Sequence, residues 1–134
     1  MSFAIGWTMG FANANVKVAA KEMHKDERVT PEGKVKAKVN RLLDKYAGLY
    51  RHMPVPYGYG ASTLDYLICF RGKFIAIETK APGKKPTDRQ RMIADKIRAA
   101  GGDVFVIDGE EGLEQLAHHL ESVKHATHPY LSQT

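Results

Sequence analysis

Two short segments joined by Arg71-Gly72 constrain the fold more than any other feature of this sequence. Residues 64–70 and 73–79 are both strand-like, and a two-residue connection that ends in glycine is typical of a tight β-hairpin. The register set by this turn places Asp65 directly opposite Glu78, with Cβ atoms about 5 Å apart on one face. A slip of one residue would move Asp65 to the other face, so the prediction depends on this register.

Both faces of the predicted hairpin are apolar. We therefore expect it to occupy the centre of a sheet that carries helices on both sides. Lys80 lies two residues after Glu78 and points to the same side as the acidic pair. The acidic face also carries Leu67, Cys69, Phe74 and Ala76, and the other face carries Tyr66, Ile68, Phe70, Ile75 and Ile77.

A helix is predicted before the hairpin, over residues 30–50. Thr30 is a good N-cap, Pro31 is favoured in the first turn, and apolar side chains follow at helical spacing. At about 100° per residue, Glu32 lies on the apolar face. There it either complements the helix dipole or reaches the sheet. Four basic residues lie on the opposite face, which is either solvated or a track for phosphate groups: Lys34, Lys38, Arg41 and Lys45.

The chain after the hairpin is typical of a strand–helix–strand crossover. Thr87 and Gln90 have the spacing of a capping box, and the helix that they begin is expected to end at Gly101-Gly102. A buried strand over residues 103–107 should then lie parallel to the second hairpin strand. An amphipathic helix over residues 110–123 follows. The predicted fold class is therefore α/β, with a small mixed central sheet flanked by helices.

The 134 residues suffice for one domain. We expect an N-terminal arm or dimerisation segment over residues 1–29, a main domain over residues 30–124 and a tail over residues 125–134. Residues 52–63 contain several prolines and glycines and are predicted to form a loop. Apolar residues alternate at the start of the arm, as in a strand that either packs on its own domain or is buried across a dimer axis: Phe3, Ile5, Trp7, Met9 and Phe11.

The composition narrows the class of partner and the compartment. A net charge of +5 and a pI near 9.3 favour a polyanionic partner, most commonly nucleic acid. The single cysteine, Cys69, excludes an internal disulfide framework and a multi-cysteine zinc site. No apolar run approaches the roughly 18 residues of a membrane span. The first ten residues lack the basic region and cleavage pattern of a signal peptide, so we expect a cytoplasmic protein.

The predicted pair of carboxylates is the strongest indication of chemistry. Asp65 and Glu78 would repel each other and lose solvation in a mostly apolar sheet unless a cation compensates them. Ligands that are all oxygen select Mg²⁺ or Mn²⁺ rather than zinc or copper. Lys80 beside the pair supplies a fixed positive charge that can orient a water or stabilise negative charge on a phosphate.

This constellation resembles the PD-(D/E)XK nuclease superfamily, with Glu78-Thr79-Lys80 as its Glu-X-Lys element. The resemblance is closest to the VRR-NUC group and extends from Glu32 to Ile107. It includes the early helical glutamate, a glycine-rich loop at residues 57–60, the segment 77–83, a glutamine that opens a helix, and the Gly-Gly pair before a hydrophobic strand. Leu64 stands where the superfamily's name expects proline.

The resemblance implies a restriction-endonuclease-like core and phosphodiester hydrolysis. Asp65, Glu78 and the backbone carbonyl of Thr79 would hold the metal ion, and Lys80 would position a water or stabilise the transition state. Glu32 and Gln90 would bind a second metal ion or orient water, although Gln90 is equally expected to complete its capping box. Basic residues after the hairpin flank the predicted site and join the stripe on the first helix as candidate DNA contacts: Lys84, Lys85, Arg89, Arg91 and Arg98.

The leading functional prediction is a Mg²⁺-dependent, structure-selective DNA endonuclease. Stand-alone members of the group resemble four-way-junction resolvases in acting as homodimers, and many are encoded by phages, which would place this protein in the host cytoplasm. Three alternatives remain open: an exonuclease or flap nuclease, a nucleic-acid-binding module without catalysis, and a basic structural protein in which the two carboxylates form buried salt bridges. Binding of divalent cations separates the two nuclease hypotheses from the binding module and the structural protein.

Overall fold

The computed structural model describes residues 30–55 and 63–127. The predicted arm, the glycine-rich part of the predicted loop and the chain beyond residue 127 lie outside the described residues. We number the elements in chain order. The helices are α1 (Pro31–Leu43), α2 (Asp88–Ala99) and α3 (Glu110–His125), and the strands are β1 (Tyr50–His52), β2 (Tyr66–Phe70), β3 (Lys73–Thr79) and β4 (Asp103–Ile107). In these two ranges, no helix has the length and apolar character needed to cross a bilayer.

The strands form one mixed sheet in the order β1-β2-β3-β4. β1 and β2 are antiparallel, as are β2 and β3, whereas β4 runs parallel to β3 after the crossover through α2. The predictions of an α/β class, a mixed sheet and a central hairpin are therefore confirmed. The helices cover both faces, since α1 and α3 pack on one side and α2 packs on the other.

The predicted hairpin register is confirmed. Phe70 pairs with Lys73 and Tyr66 pairs with Ile77, so the next position along the ladder brings Asp65 opposite Glu78. Arg71 and Gly72 have φ angles of +50° and +81°. Both central residues of this turn are left-handed, which matches the right-handed twist of the flanking strands and fixes the register.

The predicted start of the first hairpin strand is wrong by two residues. β2 begins at Tyr66, because the chain bends at Asp65. Leu64 is 1% exposed and packs against Ala76 and Ala94 on the α2 side of the sheet. The bend buries this leucine below α2 and leaves Asp65 at the end of the ladder instead of inside it.

The larger core lies between the sheet and the α1–α3 pair. It contains the predicted face of the hairpin together with one side of each helix. The opposite face is less completely covered than predicted, because Phe74 is 44% exposed and Cys69 is also exposed at the turn end. Apart from Leu64, the largest fully buried apolar side chains therefore belong to the larger core: Tyr66, Leu43, Ile68, Ile75, Ile77, Ile107, Leu116 and Leu120.

The helix predicted over residues 30–50 is shorter, and a strand follows it. Thr30 caps α1 as predicted, accepting a hydrogen bond from the backbone N–H of Gly33 at 3.1 Å. The helix ends at Leu43, and Gly48 then adopts φ +79° before β1. Arg51 of β1 donates to the carbonyl of Asn40 at 3.2 Å, which binds the strand to the last turn of α1. β1 therefore replaces the end of the predicted helix and the start of the predicted loop.

The crossover helix begins and ends as predicted. Thr87 and Gln90 form a reciprocal capping box at the start of α2. After its end, Gly101 has φ +95°, and a Cβ at Gly102 would lie only 2.7 Å from the Ile97 side chain and 3.0 Å from Phe74. The two glycines therefore serve different purposes, since the first permits the turn and the second permits close packing of α2 on β3.

Candidate active site at the ends of β2 and β3

The two predicted carboxylates meet where β2 begins and β3 ends. Each is bonded to the opposite strand: the N–H of Asp65 donates to Oε2 of Glu78 at 3.2 Å, and the N–H of Thr79 donates to Oδ2 of Asp65 at 2.9 Å. The Thr79 hydroxyl donates to the same Asp65 oxygen at 2.6 Å. These bonds hold both acidic side chains at one end of the hairpin. All three donors are uncharged, so the bonds do not neutralise the carboxylates.

Glu78 is the more buried of the two, with 3% of its surface exposed. Burial, reinforced by the negative charge of Asp65, raises the pKa of its carboxyl from 4.5 to about 7. The ammonium of Lys80, 3.8 Å from Oε1, opposes this rise without cancelling it. The protein therefore holds Glu78 close to half-ionised at neutral pH, a state from which binding of a cation would displace a proton.

Gln90 completes the predicted capping box and also contacts the acidic pair. Its Oε1 accepts a hydrogen bond from the N–H of Thr87 at 2.9 Å, which completes the capping box. Its Nε2 donates to Oε1 of Glu78 at 2.9 Å. One amide group therefore joins the first turn of α2 to the acidic pair and fixes the orientation of the Glu78 carboxyl.

Lys80 lies on the predicted side of the sheet. Its backbone N–H donates to the carbonyl of Ile107 at 2.9 Å, so the β3–β4 pairing continues past the end of β3. Its side chain is 15% exposed. The ammonium is thus held beside Glu78 by a fixed backbone, and it is partly shielded from solvent.

Glu32 lies in the first turn of α1 and is half-buried. Its negative charge is one of the causes that raise the pKa of Glu78, the last in order of size. Across residues 30–55 and 63–127, however, no three side chains of aspartate, glutamate, histidine or cysteine are grouped closely enough to hold a metal ion. The structure places Glu32 within electrostatic reach of the site and does not assemble it with Asp65 and Glu78 into a ligand group.

Sequence reasoning missed Lys36. Its ammonium lies 3.6 Å from Oδ1 of Asp65, and its backbone carbonyl accepts a hydrogen bond from the Tyr66 hydroxyl at 3.3 Å. Burial raises the pKa of that hydroxyl, so it stays a donor. The signal that could have revealed Lys36 is its position four residues after Glu32, which places the two side chains next to each other on α1.

The predicted DNA-binding residues occupy two separate regions. The stripe on α1 faces α3 in part, since Lys38 forms an ion pair with Glu110. A shallow cavity between the two helices is lined by three residues of the stripe: Lys38, Arg41 and Lys45. All five residues of the second set are exposed. Arg91 and Arg98 also form ion pairs on their own helix, with Asp88 and Asp95 respectively.

A cavity of about 130 Å³ opens beside Glu78, between α2 and β4. Glu78 and Gln90 form part of its wall, so one of the two carboxylates borders the cavity. Apolar side chains and two arginines form the remainder: Leu64, Pro86, Ala94, Val104, Val106, Arg91 and Arg98, with Asp95. A larger cavity lies near the hairpin turn and includes none of the predicted site residues.

The donor set at the strand ends fits Mg²⁺. This ion is commonly held by one or two carboxylates and completes its octahedral shell with waters and substrate phosphate oxygens, so a third acidic ligand is not required. Burial and the nearby Asp65 charge raise the pKa of Glu78, and both effects disfavour its ionised form unless a cation binds. No protein-family model matches this sequence, and no curated protein is significantly similar to it.

Proposed function

We propose that this protein is a Mg²⁺-dependent, structure-selective DNA endonuclease with a restriction-endonuclease-like core, similar to the VRR-NUC group of the PD-(D/E)XK nucleases. One observation carries the proposal: Asp65, Glu78 and Lys80 converge at the ends of two adjacent strands, and the carboxyl pKa of Glu78 is raised to about 7. Strongly shifted pKa values cluster at functional sites. The exposed basic residues after β3 offer contacts for the phosphates of DNA.

Each residue of the site has a distinct task in phosphodiester hydrolysis. Asp65 and Glu78 would hold Mg²⁺, together with the carbonyl of Thr79. When bound there, the ion would polarise the scissile phosphate and make a bound water more acidic. Lys80 orients the attacking water or stabilises charge on the phosphate. Gln90 keeps the Glu78 carboxyl in one orientation through its 2.9 Å hydrogen bond.

The ion pairs of the site favour one alternative, a structural role for the acidic residues. Lys80 lies 3.8 Å from Glu78, and Lys36 lies 3.6 Å from Asp65. A carboxylate whose main purpose is a salt bridge has a lowered pKa, because the cation stabilises its charged form. The pKa of Glu78 is raised instead. Burial and the neighbouring Asp65 charge therefore outweigh the Lys80 ammonium, which supports a cation-binding site over a structural ion pair.

The substrate and assembly belong to the same proposal. Branched DNA, such as a four-way junction, requires two symmetric nicks, and a homodimer supplies two active sites with one interface used twice. We assign that interface to the arm over residues 1–29 and place the protein in the cytoplasm. Exonuclease or flap cleavage is the rival activity at the same site, and a closed circular substrate distinguishes it, because only an endonuclease opens a circle.

The test is a cleavage panel on duplex, flap, splayed-arm, four-way and closed circular DNA, in Mg²⁺, Mn²⁺, Ca²⁺ and EDTA. We expect activity in Mg²⁺ or Mn²⁺ and none in EDTA or Ca²⁺ alone. Asp65→Asn, Glu78→Gln and Lys80→Ala should each reduce the rate about 100-fold or more. Asp103→Asn is the control, since Asp103 is a half-buried, ion-paired carboxylate at the far end of the sheet.

Two results would refute the proposal. Full activity in excess EDTA would exclude the metal, and cleavage by Asp65→Asn or Glu78→Gln at the parent rate would exclude the site. Circular dichroism and DNA affinity of each variant show that a lost rate does not reflect a lost fold. Lys80→Ala should still bind Mg²⁺, because it removes no ligand.

A further inference from the structure

Two consecutive residues, Asp65 and Tyr66, contact Lys36, one at its side-chain ammonium and the other at its backbone carbonyl. The Tyr66 hydroxyl binds the Lys36 carbonyl, and Oδ1 of Asp65 contacts its ammonium at 3.6 Å. The first contact anchors this turn of α1 to the fully buried start of β2. The packing of α1 on the sheet therefore fixes the backbone of Lys36 next to the site, while its side chain is 36% exposed.

The two oxygens of Asp65 are not equivalent. Oδ2 accepts two hydrogen bonds, from the N–H and the hydroxyl of Thr79. Oδ1 faces the Lys36 ammonium. Oδ2 is thus committed to the end of β3, and Oδ1 is the oxygen left for a cation. A divalent ion shared by Asp65 and Glu78 would need the same oxygen that Lys36 contacts.

Lys36 and Lys80 differ in how freely each can leave its carboxylate. Lys80 follows β3 directly and is 15% exposed, so its ammonium has little room to move. Lys36 reaches Asp65 from a different element and is more exposed. A lysine ammonium on a flexible stem exchanges readily between a carboxylate and a phosphate. Of these two lysines, Lys36 is therefore the one whose ammonium can move from its carboxylate to a phosphate of bound DNA.

We propose that Lys36 is a positioning residue that couples metal binding to DNA binding. Without DNA, its ammonium competes with the divalent ion for Oδ1 of Asp65. When DNA is bound, a backbone phosphate takes the ammonium, which frees Oδ1 for the ion. Metal and DNA then raise each other's affinity by the same factor, as linkage requires. This inference rests on the proposed nuclease function.

Calorimetric titration with Mg²⁺ in the absence of DNA tests the competition. Lys36→Met should bind Mg²⁺ about tenfold more tightly than the parent, because a positive charge next to the ion has been removed. Lys36→Arg retains the charge and should bind as the parent does. The matched control is Lys73→Met, since Lys73 lies 3.4 Å from Asp103 with 40% of its side chain exposed, and it lies at the far end of the hairpin.

A second titration tests the coupling. Ca²⁺ is added to the parent with and without four-way DNA, under conditions in which no cleavage is expected. The parent and Lys73→Met should bind Ca²⁺ about tenfold more tightly when DNA is present. Lys36→Met should show a clearly smaller gain, because only the contact between the ion and the DNA phosphate remains. A residue with a purely structural role would change the stability of the fold and leave this coupling intact.

The outcomes separate this inference from the proposed function. If the parent cleaves DNA with Mg²⁺ while Lys36→Met, Lys73→Met and the parent have equal Mg²⁺ affinities, the inference about Lys36 is wrong and the nuclease stands. If Lys36→Met binds Mg²⁺ more tightly but the parent cleaves none of the DNA panel, the competition stands and the proposed function is wrong. If no variant binds a divalent ion, both are overturned.

Discussion

The raised pKa of Glu78 predicts that the metal-free protein loses stability as the pH rises. On folding, the carboxyl pKa increases from 4.5 to about 7. The folded state therefore binds a proton that the unfolded state releases between these pH values. By linkage, the free energy of unfolding is highest below pH 4.5 with respect to this group and falls until about pH 7. Above that pH, the contribution of Glu78 stays constant.

The size of the effect follows from the same two pKa values. Each pH unit between them lowers the free energy of unfolding by about 1.4 kcal/mol, so the full loss is about 3 kcal/mol. Solvent does not reduce this figure greatly, because Glu78 is only 3% exposed. For a domain of this size, about 3 kcal/mol is a substantial part of a total stability of roughly 5–15 kcal/mol.

Urea denaturation of the parent and of Glu78→Gln, from pH 4.5 to pH 8 in EDTA, measures this loss. Other groups titrate in both proteins, so the difference between the two pH profiles isolates Glu78. Glutamine retains one acceptor of the pair used by Gln90 and by the N–H of Asp65. A constant difference in stability between the two proteins does not affect the test, because the prediction concerns only the slope. Profiles that stay parallel to within about 1 kcal/mol across the range would contradict the burial argument.

One further variant and one further condition extend the same experiment. Asp65→Asn removes the second-largest cause of the raised pKa and should shrink the pH dependence without abolishing it, because burial is the largest cause. Addition of Mg²⁺ should restore stability at pH 8 in the parent more than in Glu78→Gln, since a ligand that binds only the folded state stabilises it. An equal gain in both proteins would place the ion elsewhere.

The remaining predictions concern DNA binding, packing and assembly. DNA affinity, measured by fluorescence anisotropy, should fall steeply as the salt concentration rises. The double variant Lys84→Gln, Lys85→Gln should reduce the slope of log affinity against log salt by about two. An unchanged slope would show that neither lysine contacts a phosphate. Gly102→Ala should lower the free energy of unfolding in urea by about 1–3 kcal/mol, because its Cβ would lie 2.7 Å from the Ile97 side chain; unchanged stability would show that Ile97 moves without cost. Light scattering should find a dimer for the intact chain and a monomer after removal of residues 1–20, and an intact monomer that makes paired symmetric nicks would refute the dimer argument.

The hairpin and the crossover were predictable because local chemistry determines them. Arg71-Gly72 restricts the turn to a left-handed pair of φ angles, and the register of the whole hairpin follows. The capping box of Thr87 and Gln90 defines where α2 begins through bonds between residues three positions apart. Signals of this kind depend on neighbours in the chain, so they are legible without knowledge of the tertiary structure.

β1 was not predictable for the opposite reason. The strand has three residues, and Tyr50 is 67% exposed, so no apolar alternation marks it. Its partners lie well along the chain in β2, and Arg51 joins it to the carbonyl of Asn40 in the preceding helix. The helical periodicity before it continues to Tyr46, which packs on the core without being part of α1. Tertiary contacts decide this boundary.

Within the site, residue identity was easier to predict than contact. The pairing of Asp65 with Glu78 and the bond from Gln90 follow from register and helical angle. The bend at Asp65 does not, because it results from the burial of Leu64 beneath α2. Lys36 was missed for a related reason: its neighbour on β2 is set by how α1 packs across the sheet. Sequence spacing alone does not specify that packing.

One face of the sheet carries most of the apolar core, and the other carries Glu78 of the proposed active site. The face toward α1 and α3 carries the large buried side chains, whereas the buried residues on the α2 face are small or few: Leu64, Ala76 and Ala94. Glu78 extends from β3 toward Gln90 on this thinner side, next to an open cavity. A buried carboxylate costs stability, and that cost is tolerable because the opposite core offsets it. The division also explains why Glu78→Gln should remain folded, because it changes charge on a face that contributes little apolar burial. Asp65→Asn should remain folded because Asp65 lies at the end of the ladder with 26% of its side chain exposed.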